Sequence, residues 1–343
     1  MSDVRPAETA VGDPGRMRIL VTGGAGYIGS VAVELLLNEG HEVAVLDNLI
    51  KGHKAAVDPR ARFVQGDIAN LTLVEKTLRD NRIDAVMHFA AHSLVGESMQ
   101  EPLKYFDNNV SASLVLVEAM LRAGVRMLVF SSTAATYGMP RNIPIRETDP
   151  TDPINPYGES KLAFERMLRW FDEIHGLKYI SLRYFNAAGA SDKFGEVHDP
   201  ETHLIPLVLQ VALGQRPFVQ IYGDDYPTPD GTAIRDYIHV IDLAQAHILA
   251  LNWMAQGGES RIFNLGNGEG FSVRQVIDVA RQVTGHPIPA QVGPRRQGDP
   301  PVLVASSEEI IRQLGWKPRY PALADIIRSA WQWHQRHPMG YED

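Results

Sequence analysis

Short, fully apolar runs alternate with amphipathic stretches along the first 190 residues of the chain. The runs at 19–21, 43–47, 85–91 and 126–132 have no polar face, as strands buried on both sides of a parallel sheet require. Two more, 62–69 and 179–187, continue the series. Between them a spacing of 3.6 residues predicts helices ending at about 37 and spanning about 71–79, 102–123 and 157–175. This alternation predicts an α/β fold with a Rossmann-type, doubly wound parallel sheet. After residue 190 the pattern loosens. A Gly- and Asp-rich run to 203 is followed by helices near 204–213, 241–254, 272–284 and 323–334, with strands at 219–222 and 262–265. We therefore expect a sheet domain over 17–190, with 236–266 returning to it. Segments 191–235 and 267–343 should form a second, smaller α/β lobe. Residues 1–16 are polar, with two prolines and no apolar run, and read as a disordered extension.

The turn after the first strand carries Gly24-x-Gly26-x-x-Gly29, preceded by Gly23. A strand, a glycine turn and a helix amino end in that order suit a dinucleotide pyrophosphate, because a Cβ in the turn would hold the backbone away from it. A purely structural turn can use the same letters, so the context carries the reading. The second strand ends in Asp47, eighteen positions past Gly29, where a carboxylate accepts both hydroxyls of the adenosine ribose. Such an acid favours NAD over NADP, whose 2′-phosphate it would repel. At the end of the third strand, Asp67 could bond the adenine amino group while Ile68 packs on the ring. Asp67 could equally cap the helix that follows.

The fifth strand runs into Ser131-Ser-Thr-Ala-Ala-Thr-Tyr-Gly138, which places hydroxyls over the crevice at the carboxyl end of a central strand. Alone it would be an ordinary polar turn. Asn155-Pro156 then starts a helix whose first turn holds Tyr157, with Lys161 four residues on and on the same face. A phenol with pKa ~10 is a poor base at neutral pH, and lowering it by ~3 units takes about 4 kcal/mol. An ammonium alongside, a helix dipole and an oxidised nicotinamide would each act in that direction. His88 and His92 are four apart, but they lie on a strand running into a loop, where such a pair does not converge; no metal site is expected. Arg235 and Arg296 are isolated cations suited to a diphosphate or to surface ion pairs.

With 33 Lys and Arg against 41 Asp and Glu, the net charge is −8 and no basic run stands out. Nucleic acid and anionic membrane are not expected partners. The chain has no cysteine, which excludes disulfides and thiolate chemistry and fits a cytoplasmic enzyme. No apolar stretch approaches the ~18 residues of a membrane-spanning helix.

Taken together, these segments resemble the extended short-chain dehydrogenase/reductase superfamily, and within it the UDP-glucose 4-epimerases. The likeness runs from Met17 to the carboxyl end. It rests on Thr22-Gly-Gly-Ala-Gly-Tyr-Ile-Gly-Ser30, Asp47-Asn-Leu49, Gly66-Asp-Ile68, His88-Phe-Ala90, Val95-Gly-Glu-Ser98, Asn108-Asn-Val110, Ser131-Ser-Thr133, Asn155-Pro-Tyr-Gly158 with Lys161, and Arg183-Tyr-Phe-Asn186. Asp224-Asp-Tyr-Pro-Thr-Pro-Asp-Gly-Thr232 with Arg235-Asp-Tyr-Ile-His-Val240 is the most discriminating piece, since it lies outside the shared cofactor fold. The resemblance implies NAD contacts from Gly23, Gly26, Tyr27, Ile28, Gly29, Asp47, Asn48, Asp67, Ile68, Phe89, Ala90, Ala91, Asn108, Ser131, Tyr157, Lys161 and Tyr184. It implies UDP-sugar contacts from Thr133, Tyr157, Asn186, His203, Leu204, Gln220, Tyr222, Arg235, Arg296, Asp299 and Leu303. Tyr157 is then the catalytic base, Lys161 its electrostatic partner and Thr133 the ligand of the sugar 4-oxygen. Ser93 stands where some members carry a cofactor-contacting lysine, and Thr133 where others have serine.

The activity implied is reversible inversion at C4 of a UDP-hexose through a transient 4-keto sugar. Sugar-nucleotide dehydratases of the superfamily carry Asp-Glu directly after the threonine, and decarboxylases keep a glutamate; Ala134 and Ala135 do no acid–base work. A UDP-uronate 4-epimerase passes this test, and a non-catalytic NAD-sensing module is the alternative of a different class. The family position matching Leu303 flanks the hexose, where tyrosine crowds an N-acetyl group and a smaller residue admits it. A homodimer built from the helices at about 102–123 and 157–175 is also implied, although their apolar stripes could equally belong to the chain's own core.

Overall fold

The computed structural model describes residues 15–296 and 298–342, so all but the last two residues of the expected amino-terminal extension lie outside the described residues. The apolar runs form β1 (Arg18–Thr22), β2 (Glu42–Asp47), β3 (Arg62–Gln65), β4 (Ala85–His88), β5 (Met127–Ser131) and β6 (Lys178–Tyr184). They pair in parallel in the order β6-β5-β4-β1-β2-β3. Chain order reverses between β1 and β4, and beyond the carboxyl ends of those strands a crevice opens. Successive residues face opposite ways. Ile19, Val21, Val45, Met87 and Val129 enter one core, and Leu20, Leu46, Val86, Leu128 and Phe130 the other. Two cores, one on each face, are why the runs carry no polar periodicity.

The crossovers are α1 (Tyr27–Asn38), α2 (Leu71–Asp80), α3 (Val95–Ser98), α4 (Pro102–Phe106), α5 (Ala112–Ala123) and α6 (Pro156–His175). The stretch 102–123 is not the single regular helix its periodicity predicts. A π-helical turn, Asp107–Ser111, joins α4 to α5 and carries Asn109 into the interior. The run 179–187 is likewise divided. β6 ends at Tyr184, the Phe185 N–H donates to Leu265 O at 3.2 Å, and β7 (Asn186–Ala188) leaves for a second sheet.

The rest of the chain comprises α7 (Leu204–Ala212), β8 (Val219–Tyr222), β9 (Ile234–His239), α8 (Val240–Ala255), β10 (Arg261–Leu265), β11 (Gly270–Ser272), α9 (Val273–Thr284), β12 (Ala290–Gly293), β13 (Val302–Leu303), α10 (Glu308–Leu314) and α11 (Leu323–Arg336). β10 adds to β6 as the seventh parallel strand, and α8 packs on α1. β9 pairs with β7, β11 and β13, while β8 pairs with β12 alone. Residues 236–239 therefore lie in the small sheet, and the chain rejoins the large one through β10. Ile205, Leu209, Val276, Ile277, Ile326 and Ile327 fill a third core between α7, α9 and α11. Among the described residues no helix is long and apolar enough to cross a membrane.

Candidate active site

The glycine turn packs too tightly for side chains. Gly23 has φ +74°, and a Cβ there would lie 2.6 Å from Ala90 N; one on Gly29 would lie 2.2 Å from Gly23 O. Gly26, extended at φ −86° and ψ 173°, is the N-cap of α1. Bare backbone and a helix amino end form a cradle that fits a dinucleotide pyrophosphate, so the residues present suit NAD. The Phe89 and Ala90 N–H groups both donate to Thr22 O, at 2.9 and 3.1 Å, which ties the end of β4 to the turn. Asp47 accepts the Ala25 N–H at 3.0 Å and the Leu49 N–H at 2.9 Å, and burial raises its pKa against those bonds. The carboxylate expected at the ribose thus also fixes the glycine turn. Asn48 donates to Asp67 Oδ2 at 2.8 Å, linking the ends of β2 and β3. Asp67 does not cap α2: Asn70 does, accepting the Leu73 N–H at 3.1 Å. Ile68 is buried in the core under that corner. The Tyr27 hydroxyl donates to Gly189 O at 2.7 Å, so the first residue of α1 holds the loop after β7, and Ile28 packs on the core beside it.

At the end of β5, Asn155 caps α6 by accepting the Gly158 N–H at 2.8 Å. Gly158 has to be glycine, since a Cβ would lie 2.5 Å from Ala135 O. This close approach brings Tyr157 beside Thr133. Burial pushes that phenol above its ordinary value, with the nearby Tyr184 adding to the shift and Thr133 opposing it. The direction is opposite to the one base chemistry needs. Lys161 donates from Nζ to Ser131 O at 2.9 Å, and burial lowers its pKa to about 7 against the pull of Glu165. Ser131 Oγ donates to the Tyr184 hydroxyl at 3.0 Å, and Thr133 Oγ1 accepts the Ala135 N–H at 3.1 Å. Tyr157, Lys161, Thr133, Ser131 and Tyr184 are thus gathered over one strand end. Below them Arg183 and Glu165 form a buried ion pair at 2.5 Å.

Two nearby groups are structural. His88 uses both ring nitrogens, toward Thr22 Oγ1 at 2.7 Å and Ser113 Oγ at 2.9 Å, and burial lowers it to about 3. Asn109, one position after the expected Asn108, accepts the His92 N–H and donates to His92 O at 2.9 Å and to Ser160 Oγ at 3.0 Å. It holds the loop after β4, which contains Ala91, against α6. Asn108 donates to its side chain at 2.9 Å. The doubled asparagine in an apolar helix was the available signal.

In the lobe, Arg235 pairs with Asp299 at 2.5 Å and donates to Ile234 O at 2.7 Å. The Arg296 guanidinium stacks 4.1 Å from the Tyr222 ring centroid. Gln220 donates to Gln291 O at 3.1 Å, and Asn186 to Asp236 O at 3.0 Å, joining β7 to β9. Leu303 lies opposite Arg235 in the β13–β9 register and packs on Ala134, Tyr137, Ile145, Phe185 and Ala305. It therefore pairs with the arginine strand and packs against the cluster to which Ala134 and Tyr137 of the turn after Thr133 belong. His203 precedes Leu204 at the start of α7 and is joined by Glu196, His198 and Glu201. Against the lowering effect of burial, the two carboxylates raise His198 to about 9 and His203 to about 10. The sequence signal for this group is a Glu-x-His pair repeated five residues on.

The model of the NAD dependent epimerase/dehydratase family matches residues 19–266. The UDP-glucose 4-epimerase of Lacticaseibacillus casei is 56% identical over 329 residues, spanning 95% of this chain and 99% of that protein. That of Halalkalibacterium halodurans is 58% identical over 327 residues, spanning 95% and 98%. The crystal structure of UDP-glucose 4-epimerase from Brucella ovis in complex with NAD superposes with a TM-score of 0.90 at 44% identity, covering 92% of this chain and 98% of that one.

Proposed function

The chain belongs to the NAD dependent epimerase/dehydratase family, and from that premise we infer that it inverts C4 of UDP-hexoses, interconverting UDP-glucose and UDP-galactose with NAD held throughout. The observation that carries this reading is the grouping of Tyr157, Lys161 and Thr133 above β5, with Ala134 and Ala135 where acid–base side chains would serve dehydration or decarboxylation. When bound, NAD would supply the acceptor for the C4 hydride and the donor that returns it to the other face of the 4-keto sugar. Tyr157 takes the 4-hydroxyl proton and gives it back. Its phenol starts from a raised pKa, so the surrounding charges must supply more than about 4 kcal/mol of differential stabilisation. Lys161, one helical turn on, supplies the protein's own share. Thr133 orients the phenol and the sugar 4-oxygen.

Arg235, Arg296 and Asp299 hold the nucleotide diphosphate and ribose, leaving the sugar free to turn over. Asn186, His203, Leu204, Gln220 and Tyr222 complete that side. Gly23, Gly26, Gly29, Asp47 and the ends of β3 and β4 hold NAD. The core packed beside the Thr133 turn is apolar, with Ala134, Tyr137, Ile145 and Phe185, and the nearby cation, Arg183, is paired to Glu165. Those surroundings suit a neutral hexose better than an uronate carboxylate. Retention of both Tyr157 and Lys161 favours a catalyst over a sensing module. The division into a sheet domain and a discontinuous lobe follows the three cores. The protein acts as a homodimer in the cytoplasm, pairing through the exposed apolar residues Leu103, Phe106, Trp170 and Ile174 of α4 and α6. The test is a panel of UDP-sugars given to the purified holoenzyme. Interconversion of UDP-glucose and UDP-galactose without net consumption of added NAD supports the reading. Faster turnover of UDP-glucuronate would replace it with the uronate one.

A further inference from the structure

The loop from β7 to α7 folds so that Glu196, His198, Glu201 and His203 each aim one donor atom into a common space, all within 4.8 Å of one another. His203 Nδ1 lies 2.8 Å from Glu196 Oε1 and 3.2 Å from Glu201 Oε1, and His198 Nδ1 lies 3.3 Å and 3.5 Å from the same two carboxylates. Four ligands at about 2.0–2.1 Å around a tetrahedral ion stand roughly 3.3–3.4 Å apart. The His–Glu separations lie near that value, with Glu201 facing His203 through Oε1 and His198 through Oε2, and the donor atoms, spread over 4.8 Å, would draw in on an ion. His198 Nδ1 is shielded from solvent and makes no hydrogen bond, although both carboxylates are in reach. The nitrogen faces the cluster, 3.3 Å from Glu196 and 3.5 Å from Glu201. Both glutamates are buried, with side chains 4% and 5% exposed, and they carry the two negative charges a divalent ion neutralises. In the metal-free chain the two carboxylates are met by the His198 and His203 rings, and a divalent ion would take the place of those contacts.

We propose that Glu196, His198, Glu201 and His203 form a binding site for one divalent transition-metal ion, with zinc the best match to two imidazole and two carboxylate ligands. Imidazole nitrogen with carboxylate oxygen selects ions of this class over calcium or magnesium, which take oxygen alone. Four ligands from the chain leave no open coordination position, which makes the site structural rather than catalytic. Its place in the fold says what it steadies. The His198 ring meets the edge of Tyr27 at 6.3 Å between centroids, and Tyr27 opens α1 beside the glycine turn. His203 is the residue before α7. The ion therefore clamps the loop between the cofactor turn and the start of α7.

The experiment uses the full-length holoenzyme, stripped with chelator and then titrated with Zn²⁺ alone or with Co²⁺ alone. One zinc per chain should survive gel filtration, the thermal midpoint should rise with Zn²⁺, and Co²⁺ should give the intense visible bands of a four-coordinate site. His198→Ala and Glu196→Gln should each weaken zinc binding tenfold or more and remove the thermal shift. Because either variant could fold poorly, the Co²⁺ spectrum of the unaltered protein stands as an independent criterion. A weak octahedral spectrum, no retained zinc at micromolar free ion, or zinc binding indifferent to both substitutions would each overturn the site and leave the cluster an ion-paired network.

Discussion

Lys161 Nζ donates to the main-chain carbonyl of Ser131 at 2.9 Å, so the ammonium over β5 is anchored by a neutral acceptor inside the protein. Little compensates its burial, and its pKa falls to about 7 with Glu165 as the opposing charge. Between that value and the ~10.4 of an unfolded lysine, the folded state holds fewer protons than the unfolded one. The resulting stability is present above pH ~10.4 and is lost as pH falls through about 7. Lys161→Met removes this dependence. Its stability relative to the unaltered protein should therefore be most favourable near pH 7 and decline toward pH 10, by on the order of 2–4 kcal/mol. Urea unfolding of both proteins at the two pH values measures it; a pH-independent difference would mean the amine titrates normally.

Tyr157→Phe should lower turnover of UDP-glucose by ~10²-fold or more while UDP binding by calorimetry stays within a few-fold. The phenol is buried against Thr133, and the ring remains to fill the space. Unchanged turnover would remove Tyr157 from the proton transfer.

The large sheet was legible because β1, β2, β4 and β5 are built on short apolar stretches, and the grouping of Tyr157 with Lys161 because Asn-Pro-Tyr and the lysine four residues on declare a helix start. What was hidden depends on contacts between distant residues. β7, β11 and β13 are two or three residues long, and only pairing with β9 makes them strands. The inward turn of Asn109 needs a π-helical residue that no periodicity announces. The raised pKa of the Tyr157 phenol in the chain without cofactor was not legible, because spacing reports which side chains are near but not how dry the site is. The Glu196-x-His198 and Glu201-x-His203 pairs stand in a stretch with no helix or strand period, so the repeat is visible in the sequence and only the fold shows that the two pairs meet.

Gly29→Ala places a Cβ 2.2 Å from the Gly23 carbonyl, a backbone atom that cannot swing aside. The phosphate turn must open, and the variant should purify with less than a tenth of the NAD per chain of the unaltered protein. Gly96→Ala, whose Cβ meets nothing within 4 Å, should keep its full complement. Absorbance of the released nucleotide measures both. Equal retention in the two variants would argue against this turn as the pyrophosphate site.

Glu165→Ala strands the Arg183 guanidinium in the core. Its side chain is 5% exposed, and Glu165 is its carboxylate partner at 2.5 Å. Removing one member of a buried pair costs ~3–5 kcal/mol. Glu165 also accepts from Ser132 Oγ at 2.5 Å and is the charge that supports the Lys161 ammonium. Denaturant unfolding should show the loss; a cost under about 1 kcal/mol would mean the pair is solvated.

Leu303 bears on the sugar's 2-substituent. It faces Arg235 across β13 and β9 and packs against the cluster that contains Ala134 and Phe185, which sets it between β9 and the core beside the Thr133 turn. Leucine has less reach than the phenol ring of a tyrosine at the same position. An acetamido methyl entering there would gain ~0.8 kcal/mol from its buried carbon. UDP-N-acetylglucosamine should therefore be epimerised alongside UDP-glucose. Leu303→Tyr should cut kcat/KM for the acetylated sugar at least tenfold, about 1.4 kcal/mol in the transition state, and leave UDP-glucose within a few-fold. Because Leu303 is only partly buried, the larger ring can be taken up without breaking the core behind it. Loss of both activities together would mark Leu303 as a packing residue, and failure of the unaltered protein to turn over UDP-N-acetylglucosamine would place the 2-substituent against a different wall.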